Sequence, residues 1–466
     1  MLSRRTLFWL MGGAAAAAGA GIAASRVGVQ PEPTAPAAED EAHHLLWRNW
    51  SGIQQAYPAQ RAAPQSEAEL IDILRQGPAP FRAVGSGHSF MPLVPTKGTL
   101  LTLDRMAALG THDETALTAS VQAGIRLADL GPALAAIGQE MPNLPDINKQ
   151  SLAGALSTAT HGTGANLPAL HAQIHSFRLA TADGRLLDCD AIHNPDLFAA
   201  ARVGLGAFGI LTEVTLRNSP LKRVERNVWL QPVEQTLQDW PALQAKHRNV
   251  EFYYLPFTGM SAVITHDETD AEATPRAPTQ DNDAVMTLKA LRDWLGWSPG
   301  LRRRVAKQLL KTLKPEKVVA ESWQLLSNER PIRFNEMEYH LPREAQLAAL
   351  AEVVAAIETG RPDVFFPIEC RVIKGDDAWL SPFHERDSGS IAVHAFYKDD
   401  YSFLFEVVEP ILRRHGGRPH WGKLNSLKAA DFAALYPRFS DAAKIRRDLD
   451  PEGRFLNPYL KGVFDV

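Results

Sequence analysis

The feature that most constrains this chain is a glycine turn that ends a short apolar run, at Arg82–Phe90. Gly85 and Gly87 have no side chains, so the backbone N–H groups of this turn can approach a diphosphate closely. His88 follows at once, where it can contact or bond to the group that the diphosphate carries. A second Gly/His cluster lies downstream, at Ser157–Gly164. The two loops together indicate a large diphosphate-bearing cofactor that is held from two sides.

The size and charge of the chain narrow the possible classes of protein. A length of 466 residues predicts two or more domains. The net charge of −4 gives no electrostatic case for binding nucleic acid. The two cysteines, Cys189 and Cys370, are too far apart in sequence for a zinc cluster, so no metal site is predicted and two buried free thiols are expected.

The N-terminus has the layout of a twin-arginine export signal. Two arginines in Ser3–Phe8 precede a mildly apolar run, Trp9–Ala24, which is short and poor in leucine and isoleucine for a stable membrane span. We therefore predict a signal peptide over residues 1–28, a linker over 29–46, and a periplasmic or otherwise exported protein. An uncleaved membrane anchor remains an open alternative.

Local patterns predict helices and strands of an α+β protein. Ser66 precedes a run with helical apolar spacing and a glutamate three residues later, which is typical of a helix N-cap. Alternation predicts strands at Leu117–Ala123 and Ile174–Thr181. The chain changes character after Pro220, where a second sheet is expected to begin. The Asp/Thr/Pro-rich stretch 265–283 is predicted to be a loop.

Together these stretches resemble the FAD-linked sugar-lactone and alditol oxidases, the D-arabinono-1,4-lactone oxidase-like enzymes with the vanillyl-alcohol-oxidase-type FAD-binding fold. The order of the glycine turn, the Ser157–Gly164 cluster, Arg418–Lys423 and Asp450–Leu460 carries the resemblance. The resemblance implies that FAD is held by Gly85, Ser86, Gly87, His88, Ser89, Phe90, Ala123, Asp146, Ser151, Gly154, Thr158, Thr160, His161, Gly162 and Ile210.

The resemblance also implies a domain plan. It predicts a two-lobed FAD-binding domain over residues 47–220, an α+β substrate or cap domain over 221–425, and a C-terminal segment, 426–466, that returns to the FAD domain. His88 matches a position that is often bonded covalently to the flavin 8α-methyl group. The alternative is a loop histidine that caps a backbone carbonyl.

The segment Pro367–Val372 carries the first candidate catalytic residues. Because a strand has a period of two, Glu369 and Arg371 share one face while Cys370 points to the other. A carboxylate beside a guanidinium can form hydrogen bonds with vicinal hydroxyl groups, and the arginine can stabilise negative charge near a flavin. The alternative is an ordinary salt bridge, which contributes little energy. In related enzymes a Glu and an Arg at this spacing line the substrate pocket.

Lys423 is the next candidate, at the end of Arg418–Lys423. A desolvated lysine with a lowered pKa can accept or order the proton of a substrate hydroxyl. His420 is either a competing base or a group that orients Lys423. His161 is expected to shape the phosphate loop.

Two positions depart from the polyol-oxidising relatives and bear on the substrate. Asp146 occupies a position where a small hydroxyl residue is usual. It would add hydrogen-bonding capacity beside the flavin and repel anionic substrates. Alternatively, it is a turn residue after Pro145. Phe396 replaces a threonine and would form an aromatic wall against the substrate. Ala123 is expected near the flavin edge that oxygen must reach.

The prediction is an exported FAD-dependent oxidoreductase that oxidises a CH–OH group of a polyol, sugar or aldonolactone by hydride transfer to flavin N5. Its expected partners are a small-molecule substrate and an electron acceptor, with membrane contact only through the export signal. Oxygen is the first candidate acceptor, with hydrogen peroxide as product. The alternatives are a dehydrogenase of the same fold that reduces a cytochrome or quinone, and a periplasmic binding protein without catalytic activity.

Overall fold

The computed structural model describes residues 37–275, 281–310, 314–328, 330 and 332–465. The predicted signal peptide and the first residues of the predicted linker lie outside these ranges. Within the ranges, none of the helices is both long enough and apolar enough to cross a membrane.

The first lobe contains a small parallel sheet and an antiparallel sheet. The parallel sheet leads directly into the glycine turn, because its last strand in space ends at Ala83; its strands, in spatial order, are Gln60–Ala62, Thr99–Leu101 and Phe81–Ala83. The strands of the antiparallel sheet, in spatial order, are Leu186–Cys189, Ile174–Ala180, Ile210–Arg217, Thr118–Gln122 and Leu109–Asp113. Both strands predicted from alternation are therefore present.

Helix Glu67–Gln76 begins as its sequence predicts. The Ser66 hydroxyl accepts a hydrogen bond from the backbone N–H of Glu69 at 3.2 Å, which satisfies one of the free donors of the first turn. Leu70 and Leu74 on its apolar face are fully buried. The predicted cap and face are thus confirmed.

The second lobe is built on one antiparallel sheet of eight strands. Its strands, in spatial order, are Glu316–Glu321, Arg223–Pro232, Met260–Thr269, Asn249–Leu255, Ile368–Ile373, Ser388–Phe396, Phe334–Pro342 and Arg418–Pro419. The predicted loop over 265–283 is wrong at both ends, because strand Met260–Thr269 continues into it and helix Asp281–Leu295 begins within it. Cross-strand pairing and apolar spacing override the polar composition there.

Helices cover the two sheets and connect their strands. The remaining ones are Leu127–Ala135, Leu152–Ser157, Pro195–Ala201, Val233–Lys246, Pro299–Leu310, Ser322–Leu325, Gln346–Gly360, Glu409–Arg414, Ala429–Leu435, Phe439–Leu449 and Pro458–Phe464, with 3-10 turns at Leu170–Gln173 and Arg343–Ala345, a π turn at Leu404–Val408, and two-stranded pairs of Trp47–Arg48 with Gln55–Ala56 and of Gln139–Glu140 with Ser219–Pro220. This mixture confirms the predicted α+β class. Cys189 and Cys370 are both buried and free, as expected.

The lobes and the C-terminal segment are joined by buried hydrogen bonds. In the loop after the second Gly/His cluster, the backbone N–H of Gly164 donates to the carbonyl of Val372 at 2.7 Å, in the middle of the large sheet. At the other end of the chain, Arg82 donates to the carbonyl of Phe455 at 2.7 Å, and the backbone N–H of Phe81 donates to the carbonyl of Arg454 at 2.8 Å. The strand before the glycine turn is therefore held by residues near the end of the chain.

Candidate active site

A single deep cleft lies between the two lobes and collects most of the candidate residues. Its empty volume, counted with the solvent at its mouth, is about 1640 Å³. One wall carries the glycine turn and the Ser157–Gly164 cluster. The other wall is one face of the eight-stranded sheet.

The glycine turn is shaped for close approach of a phosphate-bearing group. The backbone N–H groups from Gly85 to Ser89 donate to no other group among the described residues, and the turn lines the cleft. A Cβ on Gly85 would lie 2.3 Å from Ser151 Oγ, and Gly87 has a φ of +67°. Only glycine fits both constraints, so the turn offers unpaired donors to an anion.

The second loop packs against the first and lines the same cleft. Ser151 Oγ accepts a hydrogen bond from the backbone N–H of Gly154 at 3.3 Å. A Cβ on Gly162 would lie 2.4 Å from the carbonyl oxygen of Leu144. Other residues that the sequence assigned to FAD and that line the cleft are Phe90, Ala123, Thr158, Thr160 and Ile210.

His88 faces the cleft and stacks on Trp50, with ring centroids 4.9 Å apart and planes 25° apart. Burial, followed by the positive charges of Lys423 and Arg126, lowers the pKa of His88 to about 4. The imidazole is therefore neutral at physiological pH. Its ring nitrogens make no hydrogen bond with the described residues, so the alternative of a carbonyl cap is not realised.

The opposite wall is a grid of charged side chains on one sheet face. Strand register places Arg371 opposite Glu251 on one side and Ser390 on the other. Glu369 lies opposite Tyr253, whose hydroxyl donates to Glu369 Oε1 at 2.6 Å. Arg371 Nη2 lies 3.2 Å from Glu369 Oε2, so the two residues share a face as their spacing predicts.

Glu338 is the hub of this grid. Its Oε1 accepts hydrogen bonds from Arg371 Nη2 at 2.9 Å and from Ser390 Oγ at 2.5 Å, and His161 Nε2 lies 3.1 Å away. Burial alone would raise the pKa of Glu338, but Arg371 and then His161 hold it well below the usual range. The side chain of Glu338 is only 1% exposed, so this is a buried carboxylate with a full set of donors.

His161 does not point toward the glycine turn. Its Nδ1 donates to the carbonyl of Gly162 at 2.8 Å, and its Nε2 faces the Glu338 carboxylate in the other lobe. The two ring nitrogens therefore lie against oxygen atoms of different lobes. The side chain expected to shape the phosphate loop thus links the two lobes through its contact with the Glu338 carboxylate.

Glu251 adds a second unusual carboxyl to the wall. Burial, followed by the charge of Glu369, raises the pKa of Glu251 to about 8. Glu251 is therefore mostly neutral at physiological pH, while Glu338 stays ionised. The grid thus contains two acids whose environments move their pKa values in opposite directions.

Lys423 reaches the same region and donates a short hydrogen bond to Glu336 Oε2, a carboxylate that is 3% exposed. His420 accepts a hydrogen bond from the backbone N–H of Gly422 on its Nδ1 at 3.0 Å. Burial lowers the pKa of His420 well below the usual histidine value. His420 is therefore neutral, and the nitrogen of its ring that could accept a proton is already bonded.

Asp146 lines the cleft, but its carboxylate is already engaged. Arg330 donates to both of its oxygens, at 2.8 and 3.1 Å, and Asn328 donates to Oδ1 at 2.8 Å. Burial would raise the pKa of Asp146, but Arg330 holds it below the usual value. The expectation that Asp146 repels anionic substrates is therefore corrected, because Arg330 neutralises its charge.

Phe396 lies past the end of the cleft. Its ring contacts Tyr397, Phe365 and the Lys289 ammonium group, at centroid distances of 4.8, 6.1 and 5.4 Å. His394, two residues earlier on the same strand, lines the cleft instead. The predicted aromatic wall at Phe396 is thus replaced by an imidazole, because the cleft ends before the strand does.

Three residues that line this wall were not found from the sequence: Glu336, Glu338 and His394. Nor were Glu251 and Tyr253, which lie opposite Arg371 and Glu369 on the neighbouring strand. A signal was present in Phe334–Pro342, where Glu336 and Glu338 recur at a spacing of two within a strand that is buried on both faces. Carboxylates at such positions must be paired, so they mark a site.

Comparison with known proteins agrees with this geometry. The profile described as D-arabinono-1,4-lactone oxidase matches residues 214–463, and the profile described as FAD binding domain matches residues 58–190. The L-gulono-1,4-lactone dehydrogenase of Mycobacterium tuberculosis is 33% identical, over 90% of this chain and 99% of that protein. The alditol oxidase of a Streptomyces strain is 30% identical, over 90% of this chain and 98% of that protein.

Similarity of fold extends to solved structures. A solvent-stable cholesterol oxidase superposes with a TM-score of 0.75 at 19% sequence identity, covering 90% of this chain and 97% of that chain. The FAD-binding match and the relatives named as oxidases and dehydrogenases define a FAD-dependent oxidoreductase. Within that class, the chain belongs to the D-arabinono-1,4-lactone oxidase family.

Proposed function

We propose that this enzyme oxidises a CH–OH group of a sugar lactone or a related polyol. The observation that carries the proposal is that the Glu369–Arg371 pair and the Lys423–Glu336 pair converge in the cleft that also holds the glycine turn. Relatives named for L-gulonolactone, D-arabinono-1,4-lactone and alditols support the substrate class.

FAD, when bound, supplies a hydride acceptor at N5. The residues of this chain bind the substrate and move its proton. Glu369 accepts from one hydroxyl group while Arg371, fixed by Glu338, donates to a neighbouring oxygen. The proton of the reacting hydroxyl passes to Lys423 Nζ as Lys423 releases one to the carboxylate of Glu336. The carbonyl of His420 accepts a hydrogen bond from the backbone N–H of Lys423 at 3.0 Å, which helps to position Lys423.

A substrate panel tests this proposal. Anaerobic bleaching of the enzyme-bound flavin should follow addition of an aldonolactone or an alditol, and Lys423→Met should abolish bleaching without loss of flavin. Lys444→Met, at an exposed lysine outside the cleft, is the control. Unchanged bleaching by the Lys423 variant would refute the proton path. A chain that binds FAD but is bleached by no member of the panel would refute the substrate class.

His88 is proposed as the attachment point of the flavin. Its neutral imidazole lines the cleft with both nitrogens free of hydrogen bonds, which suits a nucleophile that must bond to the 8α-methyl carbon. Acid precipitation tests the bond. Yellow colour that stays with the polypeptide, and that disappears in His88→Ala, supports it, whereas colour that washes out refutes the bond but not FAD binding.

We also propose export by the twin-arginine route and reoxidation by oxygen, with transfer to a cytochrome or quinone as the alternative. Ala123 lines the cleft and is fully buried, which supports a role in the access of oxygen. Peroxide formation in air, compared with reduction of cytochrome c or a soluble quinone, separates the two acceptors. Replacing Arg4 and Arg5 by lysine should keep the chain out of the exported fraction.

A further inference from the structure

The second lobe carries a helical hairpin, Asp281–Leu295 followed by Pro299–Leu310, between two strands of the large sheet. The turn of this hairpin exposes three large apolar side chains. Trp294, Trp297 and Leu301 are 43%, 57% and 39% exposed. None of them lines the cleft, so the proposed reaction does not account for them.

The three residues form a group. Trp294 lies in the last turn of the first helix, Trp297 in the connection and Leu301 in the first turn of the second helix, so all three lie at the joined end of the hairpin. The indole N–H of Trp297 donates to the carbonyl of Trp294 at 3.1 Å, which ties the turn back onto the first helix. The turn therefore presents a fixed apolar tip, here defined as Trp294, Trp297 and Leu301.

Positive charge lies beside the apolar tip. Helix Pro299–Leu310 contains four basic residues and no acidic one, although the whole chain has a net charge of −4. Arg302 is buried against Phe257, and Arg303 is paired with Glu358. Arg304 and Lys307 are exposed and have no acidic partner within the described ranges.

Exposed indoles and a leucine next to unpaired cations match the surface of an anionic bilayer. Indole rings favour the interfacial region of a membrane, and lysine and arginine are attracted to anionic headgroups while their alkyl stems lie along apolar surface. We propose that the apolar tip, with Arg304 and Lys307, docks the cap lobe onto an anionic lipid surface. The contact is separate from the cleft and from the N-terminal segment.

The test uses the full-length holoenzyme and two kinds of vesicle, phosphatidylcholine alone and phosphatidylcholine mixed with phosphatidylglycerol. Brominated lipids quench only tryptophans that enter the bilayer, and the N-terminal segment has a tryptophan of its own, so every protein in the test carries Trp9→Phe and the quenching then reports on the tip. The variants are a triple one, Trp294→Ser, Trp297→Ser and Leu301→Ser, and a charge reversal, Arg304→Glu with Lys307→Glu. Ile192→Ser, at an exposed apolar residue of the first lobe, is the control.

The expected result is quenching by anionic vesicles that the charge reversal loses and Ile192→Ser keeps; the triple variant lacks the two reporting tryptophans, so its weaker binding is measured by sedimentation with the same vesicles. Binding by the charge reversal should weaken by roughly tenfold or more, because each cation near the surface contributes about 1 kcal/mol. Flavin content and turnover with a soluble acceptor should be unchanged in all three. Since the charge reversal leaves the buried side of the hairpin intact, it tests the proposal even if the triple variant does not fold.

Three results would overturn the proposal. The first is no quenching by anionic vesicles in the unchanged protein. The second is equal quenching by phosphatidylcholine alone, which would remove the role of Arg304 and Lys307. The third is a change in oligomeric state of the triple variant without lipid, since that would assign the apolar tip to contact with a second copy of the chain.

Discussion

Replacing Glu338 by glutamine tests whether one buried carboxylate joins the two lobes. The substitution keeps the shape of the side chain and removes its charge. In the unchanged protein, Glu338 Oε1 faces Arg371 at 2.9 Å and His161 at 3.1 Å. After the substitution, Arg371 keeps only Glu369 as a close carboxylate partner, and His161 Nε2 no longer faces a charged group.

The expected loss of stability follows from the burial of all three groups. Their side chains are 1%, 7% and 2% exposed, so water cannot replace the missing charge. Removing one partner of a buried ion pair typically destabilises a protein by about 3–5 kcal/mol. For a lobe of this size, that corresponds to a decrease in Tm of roughly 10 °C.

Thermal unfolding across a range of pH is the assay. The pKa of Glu338 is lower in the folded protein than in the unfolded chain, where it is about 4.3. The ionised carboxylate therefore contributes its full stabilisation above about pH 4.3, and this stabilisation is lost as the pH falls through the lower pKa of the folded protein. The difference in Tm from Glu338→Gln should therefore be the same from about pH 5 to pH 8. Glu352→Gln removes an exposed carboxylate that contacts Arg414 and His415, and it should change Tm little.

The reasoning is refuted if Glu338→Gln and Glu352→Gln have the same Tm. It is also refuted if Glu338→Gln leaves Tm unchanged from about pH 5 to pH 8, since that would mean that Glu338 is protonated in the folded protein and that a neutral glutamine replaces it without loss of charge. Loss of activity alone would not distinguish a change in Arg371 from unfolding, so flavin content is measured in parallel.

Three further predictions concern other residues of the cleft. The pKa of Glu251 is raised to about 8 in the folded protein, so the tendency of this carboxyl to ionise destabilises the fold as the pH rises from about 4.3 to 8. In thermal unfolding, Glu251→Gln should therefore have a higher Tm than the unchanged protein at pH 8 and above, but not at low pH. Gly85→Ala places a methyl group 2.3 Å from Ser151 Oγ and should lower flavin content, measured by absorbance, whereas Gly462→Ala, with open space around it, should not. Lys423→Met should lower kcat by about 10²- to 10⁴-fold with flavin content unchanged, and an unaltered kcat would show that another group takes the proton.

Local features of the site could be predicted from the sequence because they depend on short-range geometry. The shared face of Glu369 and Arg371 follows from the period of a strand, and the exposed donors of the glycine turn follow from Gly85 and Gly87. The partners of these residues come from distant parts of the chain. Glu338 meets His161 from the other lobe, and no local pattern indicates that contact.

The two corrections have the same cause. Asp146 is a carboxylate, a residue type that would be expected to face the substrate. Arg330, which is far away in the sequence, instead donates to both of its oxygens. Phe396 follows the correct strand alternation, but the cleft ends near His394, and where a cavity ends is set by packing between lobes. Strand alternation determines the face to which a side chain points. How far the cleft extends, and which residues pair with that side chain, depend on the tertiary structure.

The bonds from Phe81 and Arg82 to Arg454 and Phe455 bear on the order in which the chain can fold. The strand that leads into the glycine turn is synthesised 373 residues before Phe455, one of its buried partners. The glycine turn therefore cannot reach its final packing until translation has passed Phe455. Removal of Arg454 and the residues after it should damage the first lobe before it affects the second.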